Sequence, residues 1–147
     1  MKINELVKLA HENAVAKGFW DSHNDIKVIL SYTSAGKDVS KLITYNINTK
    51  ITSKIMLIVS ELGESVEALR NGKHARLKDI DKEQLEPFEF ERLVKDTFED
   101  EIADVFIRLC DLVGFMGFDI ERYIQLKMDY NRTRSKLHGK EFWLWKI

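Results

Sequence analysis

Apolar residues recur every three or four positions over long stretches of this chain, and one proline, Pro87, with seven glycines is all that interrupts them. This spacing matches the 3.6-residue turn of an α-helix and not the two-residue alternation of a strand. The chain has 147 residues, of which 44% are hydrophobic, and that is enough for one domain with one core. We therefore expect residues 1–147 to form a single all-α domain.

Four segments are amphipathic at helical spacing and bounded by residues that start or stop helices. Asn4 and Asp119 are the expected N-caps of the first and the fourth. The segment 19–47 is rich in β-branched residues but also fits a short helix, and we expect an irregular insertion there between the first two helices. The segment 72–95 is expected to be a connection with one short helix near 88–93. The four long helices are expected at about 4–17, from 48 or 49 to 72, at about 95–115, and from 119 onwards.

The second of these segments has an apolar row with spacings of four, three, four and three residues. Such a row is typical of the buried seam of a helical bundle. We therefore expect a four-helix bundle in which this row is buried. The row consists of Ile55, Val59, Leu62, Val66 and Leu69.

Composition excludes several classes of protein. The formal net charge of −1 gives no general attraction to nucleic acid or to a membrane surface. No apolar run approaches the roughly 20 residues that a bilayer requires, and the first residues lack the apolar centre of a signal peptide. We expect a cytoplasmic protein without nucleic-acid or membrane partners. The single cysteine, Cys110, lies in an apolar run and is expected to be a small buried hydrophobe.

Two helices each carry a pair of acidic residues three positions apart, Glu61 with Glu64 and Glu101 with Asp104. Residues at this spacing point the same way from a helix. Each pair adjoins an apolar stripe, so packing of the stripes would bring four carboxylates towards one cleft. Carboxylate oxygens suit hard cations such as Mg²⁺, which would relieve their repulsion and also bind phosphates.

The acidic spacing by itself is not specific for a magnesium site. A single pair at this spacing occurs often by chance on a solvated helix face, so either pair alone is weak evidence. A di-iron bundle requires Glu-x-x-His on its helices, and no histidine of the chain has Glu three positions before it. The chain also has no P-loop, no G-x-G-x-x-G and no H-E-x-x-H sequence.

The segments SELGESVEALRNGK, EDEIADVFIRLCDL and KMDYNRTRSKLHGKEF, with GFWD after the first helix, resemble the MazG-like family of all-α nucleoside triphosphate pyrophosphohydrolases. The resemblance covers most of residues 50–142. The metal-binding pattern of the family, E-E-x-x-E followed by E-x-x-D, falls on Ser60, Glu61, Glu64, Glu101 and Asp104. Ser60 stands where the family has its first Glu.

The resemblance implies the four-helix bundle of this family and hydrolysis of a (d)NTP to a (d)NMP and pyrophosphate. It implies Mg²⁺, or Mn²⁺ in its place, bound by the four carboxylates, with Glu61 or Glu64 accepting a proton. It also implies dUTP or dCTP as candidate substrates, and a homodimer or homotetramer. The residues assigned to substrate binding are Lys127, Asn131, Arg134 and, as a stacking aromatic, Trp20.

The sequence leaves several alternatives open. Lys127 and Arg134 also fit a solvated basic helix end, and Trp20 also fits packing in the core or an interface. The whole chain also fits a helical interaction protein without catalysis. A third interpretation is a phosphoribosyl-ATP pyrophosphohydrolase.

Overall fold

The computed structural model describes residues 1–21, 37–76 and 85–135, and every regular element in these ranges is an α-helix. The expected all-α class is therefore confirmed. No described helix has the length and apolar content that crossing a membrane requires. The helices are α1 (Ile3–Ala16), α2 (Lys37–Arg70), α3 (Pro87–Leu93), α4 (Phe98–Met116) and α5 (Ile120–Arg132).

Most helix ends follow from local capping. Asp119 caps α5, as expected, because its side chain accepts a hydrogen bond from the backbone N–H of Arg122 at 3.2 Å. The expected cap of α1 is wrong, since the helix begins after Lys2 and not after Asn4. The carboxylate of Glu5 accepts the backbone N–H of Lys2 at 3.4 Å and thereby supports the earlier start. The Asn4 side chain instead donates to Asp119 at 3.3 Å and links α1 to α5.

Helix α2 begins eleven or twelve residues earlier than expected, so residues 37–47 of the expected irregular insertion are helical. Its Thr and Ser hydroxyls donate to the backbone carbonyl one turn earlier, as from Thr49 to Tyr45 at 2.9 Å and from Thr52 to Asn48 at 2.8 Å. These bonds satisfy the hydroxyls inside a helix despite their low helix propensity. Residues 22–36 of the expected insertion lie outside the described ranges, as do residues 136–147 of the C-terminal segment.

Helix α4 is central, because it packs against both α1 and α2, and α5 packs against α1. The contact between α1 and α4 is close at Gly114, where an added Cβ would lie 2.5 Å from the Cβ of His11. Small side chains line this contact. The buried ones include Ala10 and Ala14 of α1 and Cys110 and Val113 of α4.

The expected burial of the apolar row on α2 is wrong for the single chain. Its five residues are each 43–51% exposed. The face of α2 that packs on α4 is shifted by one position and contains the buried residues Glu61, Ser65 and Ala68. This rotation has a physical reason, since ion pairs between α2 and α4 lie on that face. The described helices therefore do not bury the row in a bundle of one chain.

The close contact at Gly114 gives a matched test. Gly114→Ala should lower the free energy of unfolding by about 1–3 kcal/mol, because the new Cβ would collide with His11. Gly63→Ala in α2 meets nothing within 4 Å and should raise it by about 0.5–1 kcal/mol. Urea unfolding of both variants measures the difference. Equal effects at the two positions would show that α1 and α4 do not approach at Gly114.

Candidate metal centre

The candidate centre lies where the C-terminal half of α2 passes the start of α4. The two helices are antiparallel. The ammonium nitrogen of Lys54 lies 3.6 Å from a carboxylate oxygen of Asp111. Glu61, about two turns later in α2, pairs with Arg108, which comes before Asp111 in α4, at 2.8 Å between a terminal guanidinium nitrogen and Oε1. Beyond the end of α2, the backbone N–H of Phe98 donates to the carbonyl of Lys73 at 3.0 Å. This alignment places Glu61 opposite the first turns of α4.

Three carboxylates from the two helices meet at this point. One oxygen atom from each of Glu61, Glu101 and Asp104 lies within 4.8 Å of the others. Glu61 and Glu101 are each only 7% exposed. Two oxygens that bind one Mg²⁺ at about 2.1 Å are at most roughly 4.2 Å apart, so small side-chain rotations would suffice for shared ligation. An all-oxygen, all-anionic donor set fits a hard divalent cation.

The electrostatics of the cluster are unfavourable. Burial raises the pKa of Glu101 to about 7, and a hydrogen bond with Glu61 and the charge of Glu64 act in the same direction. Burial also raises the pKa of Asp104, as does the charge of Glu61, while Arg108 acts against this shift. The described residues thus gather more negative charge here than their cations neutralise.

Glu64, the fourth expected carboxylate, lies at the rim of the cluster and not within it. Its side chain is exposed, and the hydroxyl of Ser60 donates to its Oε1 at 3.4 Å. Its charge nevertheless reaches Glu101 and raises the pKa of that group. Three of the four sequence-derived carboxylates are therefore brought together, and the fourth adjoins them.

Arg108 also reaches this cluster, although the sequence motifs do not include it. One of its terminal nitrogens donates to Oε1 of Glu61 at 2.8 Å, and its Nε is buried without a hydrogen-bond partner within the described part of the chain. Arg108 lies four residues after Asp104 and seven after Glu101, so helical spacing could have placed it on the same face.

The candidate phosphate-binding residues lie on α5 and just after its end, and not on α2 or α4. Lys127, Asn131 and Arg134 are exposed, and both cationic groups lie near the ring of Tyr130, at 5.1 Å and 5.9 Å from its centre. Among residues 1–21, 37–76 and 85–135, no hydrogen bond or ion pair joins them to the carboxylate cluster. Their role in substrate binding stays a prediction.

Trp20 is buried at 6% exposure in the single chain. Its ring stacks on Phe115 at 4.1 Å between centres, and its Nε1 donates to Oδ1 of Asp111 at 2.7 Å. The ammonium group of Lys54 lies 4.4 Å from the centre of the ring. Trp20 therefore packs inside the fold, and its stacking on a nucleobase stays a prediction.

Asp111, which no sequence motif marked, is the centre of a second polar cluster. In addition to Trp20 and Lys54, it bonds Nδ1 of His11 at 2.8 Å. Its carboxylate thus joins α1, α2 and the turn after α1 to α4. The helical spacing of Glu101, Asp104 and Asp111 on one side of α4 was the signal available in the sequence.

Comparisons of this chain with protein-family models, with curated proteins and with solved structures found no significant match. The chemistry of the site is therefore inferred from its own residues.

The raised pKa of Glu101 gives a prediction for the metal-free protein. In the folded chain this carboxyl keeps its proton up to about pH 7, whereas its usual pKa is 4.5. The folded state thus binds more protons between these values, and the free energy of unfolding should fall as the pH rises from about 4.5 to about 7. Chemical unfolding in a chelator across this range measures the slope.

The control variants separate Glu101 from other carboxyl groups. Glu101→Gln should remove a large part of the slope and should be more stable than the wild type above pH 7, because it removes a buried charge. Glu67→Gln, an exposed position on α2, should leave the slope unchanged. A wild-type stability that is flat or rises over this range would contradict the assignment.

Proposed function

We propose that this protein is a divalent-metal-dependent nucleoside triphosphate pyrophosphohydrolase that cleaves a (d)NTP to a (d)NMP and pyrophosphate. The observation that supports this most is the convergence of Glu61, Glu101 and Asp104 within 4.8 Å at a buried helix contact. Such a cluster destabilises the fold unless a cation compensates it. The same residues fall on positions of the metal-binding pattern of the MazG-like enzymes, which the sequence resembles with Ser60 in place of the first Glu.

Mg²⁺, with Mn²⁺ as a substitute, is the proposed cofactor, because both accept carboxylate ligands and bind substrate phosphates at their other positions. The ligands would be Glu61, Glu101 and Asp104, with Glu64 beside them. When bound, the cation would offset phosphate charge and favour ionisation of an attacking water at neutral pH. Since Glu101 holds its proton up to about pH 7, cation binding below that pH should release a proton.

The different exposure of the carboxylates suggests a division of roles. Glu61 and Glu101 are buried and face each other, so they suit ligation, whereas Glu64 is exposed at the rim. An exposed carboxylate can take a proton from an attacking water and pass it to solvent. The Ser60 hydroxyl orients this group by its hydrogen bond to Oε1. Glu64 is therefore the proposed base, and Glu61 a ligand.

The substrate is proposed to be a nucleotide such as dUTP or dCTP. Phosphate groups would be held by the bound cation, by Lys127 and Asn131 on α5 and by Arg134 just after it, all three of which are exposed. The net charge of −1 means that attraction of an anionic substrate depends on such local groups.

The function is tested by incubating the purified protein with a panel of NTPs and dNTPs, with and without Mg²⁺, and separating the products. We expect a monophosphate and pyrophosphate, formed only with the metal. Glu64→Gln should lower kcat by roughly 100-fold or more, as expected for loss of a general base. Glu67→Gln, three residues further along α2 and exposed, is the matched control and should retain activity.

Three results would contradict the proposal. They are no turnover of any nucleotide, full activity of Glu64→Gln, and activity that survives complete chelation. If no nucleotide is turned over and another protein binds to α2, the alternative of a non-catalytic interaction protein is favoured. The exposed apolar row on α2 is also consistent with that alternative.

The proposed assembly is a homo-oligomer in which a second copy covers the apolar row of α2 and completes a four-helix bundle. The row contains no charged residue, so two copies related by a two-fold axis would meet without like-charge repulsion. Its spacing of three and four residues suits packing against another helix. Five half-exposed apolar side chains in one row would supply part of the roughly 800 Å² that each partner buries in a standard interface.

A charge on the row should prevent this assembly. Val59→Glu, in the centre of the row, should give a monomer, because a carboxylate would be buried at the interface without a partner. Leu57→Glu is the control, since Leu57 is 44% exposed and lies two residues before Val59, about 200° away around the helix. Light scattering after gel filtration measures the mass. A monomeric wild type, or a Val59→Glu variant with unchanged mass, would contradict the proposed interface.

A further inference from the structure

Arg108 lies beside the carboxylate cluster and uses only some of its hydrogen-bond donors. A terminal nitrogen of its guanidinium group donates to Glu61 at 2.8 Å, while its Nε has no hydrogen-bond partner within the described ranges. A guanidinium group has five N–H donors arranged as a planar fork. A buried donor without an acceptor is unfavourable, so this arrangement leaves the group able to gain by meeting a further acceptor.

Glu61 is both a proposed metal ligand and the ion-pair partner of Arg108. Its carboxylate belongs to the cluster with Glu101 and Asp104 and also accepts the hydrogen bond from Arg108. Ligation of a divalent cation by Glu61 would draw charge from its pair with the guanidinium group. Arg108 would then be a cation with a weakened partner at the edge of a metal centre. Its side chain is 38% exposed, although Nε itself is buried, so an anion can approach the side chain from solvent and would reach Nε once the pair with Glu61 opens.

We propose that Arg108 binds a phosphate group of the substrate, through its Nε and a terminal nitrogen, after a divalent cation has bound to Glu61. This inference rests on the proposed function and adds a residue to the same site. A planar fork matches two oxygens of a phosphate group, which a lysine ammonium cannot do. The pair with Glu61 holds the guanidinium group in place and its Nε is buried. With a divalent cation on Glu61, this pair would be weakened and the guanidinium group could turn its Nε towards the phosphate.

The position of Arg108 along α4 supports this role. It lies one turn after Asp104 on α4, and Asp111 lies almost one turn further on. Asp111 already has Lys54, His11 and Trp20 as partners, so it does not compete strongly for Arg108. Within the described part of the chain, Arg108 is the cation whose ion pair reaches into the triad itself.

Binding measurements, which require no turnover, test the inference. The magnesium complex of inorganic triphosphate is titrated into the wild type, Arg108→Gln and Arg108→Lys by calorimetry. We expect Arg108→Gln to weaken binding roughly tenfold or more, as for loss of hydrogen bonds to a charged group. Arg108→Lys should be intermediate, because it keeps the charge and loses the fork. Arg122→Gln, on the exposed first turn of α5, is the control and should bind as the wild type does.

A separate titration with Mg²⁺ alone distinguishes this role from support of the metal ligands. Arg108→Gln should bind Mg²⁺ at least as tightly as the wild type, because Glu61 loses its competing partner. A parallel loss of Mg²⁺ binding would overturn the inference, since Arg108 would then act only through Glu61. So would equal affinity of the wild type and Arg108→Gln for the triphosphate complex, which would leave the proposed function standing.

The remaining outcomes are also decisive. If the wild type does not bind the triphosphate complex, the proposed function fails and this inference fails with it. If Arg108→Gln does not fold, Arg108→Lys decides the question, and wild-type affinity in that variant overturns the role of the fork. Circular dichroism of each variant identifies a folding defect.

Discussion

Two ion pairs cross the contact between α2 and α4, and the orientation of both helices depends on them. Glu61 pairs with Arg108, and Lys54 pairs with Asp111. Buried charges need close partners of opposite sign, so these pairs fix how far each helix is rotated about its axis. The rotation turns the acidic face of α2 inwards. It also leaves the apolar row of the same helix half exposed.

Asp111 holds the other end of this contact. Its carboxylate accepts the indole N–H of Trp20, bonds His11 and lies near Lys54. These partners come from α1, the turn after it, and α2, so one side chain joins three parts of the chain to α4. With α4 fixed in this way, Glu101 and Asp104 lie on the side that faces α2. The cluster at the candidate metal centre therefore depends on a polar network about two turns away.

The carboxylate cluster is unfavourable by itself, and this gives it functional interest. Burial keeps Glu101 protonated to about pH 7, and the guanidinium group of Arg108 pairs with only one of the three acids. In a purely structural salt bridge, each acidic group would be matched by one basic group. Among the described residues of this cluster, three acids face one cation, an excess that a divalent ion would correct. Perturbed carboxyl groups of this kind often mark sites of binding or catalysis.

The sequence by itself determined the all-α class, the short helix near 88–93, the cap of α5 at Asp119 and the two acidic pairs. These features are local, because helical spacing and capping act within a few residues. Spacing could not show that α2 begins at Lys37, since its Thr and Ser residues are accommodated by hydrogen bonds to their own backbone.

Only the tertiary structure decided which side of each helix is buried. Hydrophobic spacing assigned the inner face of α2 to its apolar row, but pairs between residues some 50 positions apart turned Glu61 inwards in its place. The same pairs separated Glu64 from the other three carboxylates, brought Arg108 to them and buried Trp20 on Asp111. Such choices depend on the partner that each charge finds across the fold, and residue spacing along the chain does not show which partner that is.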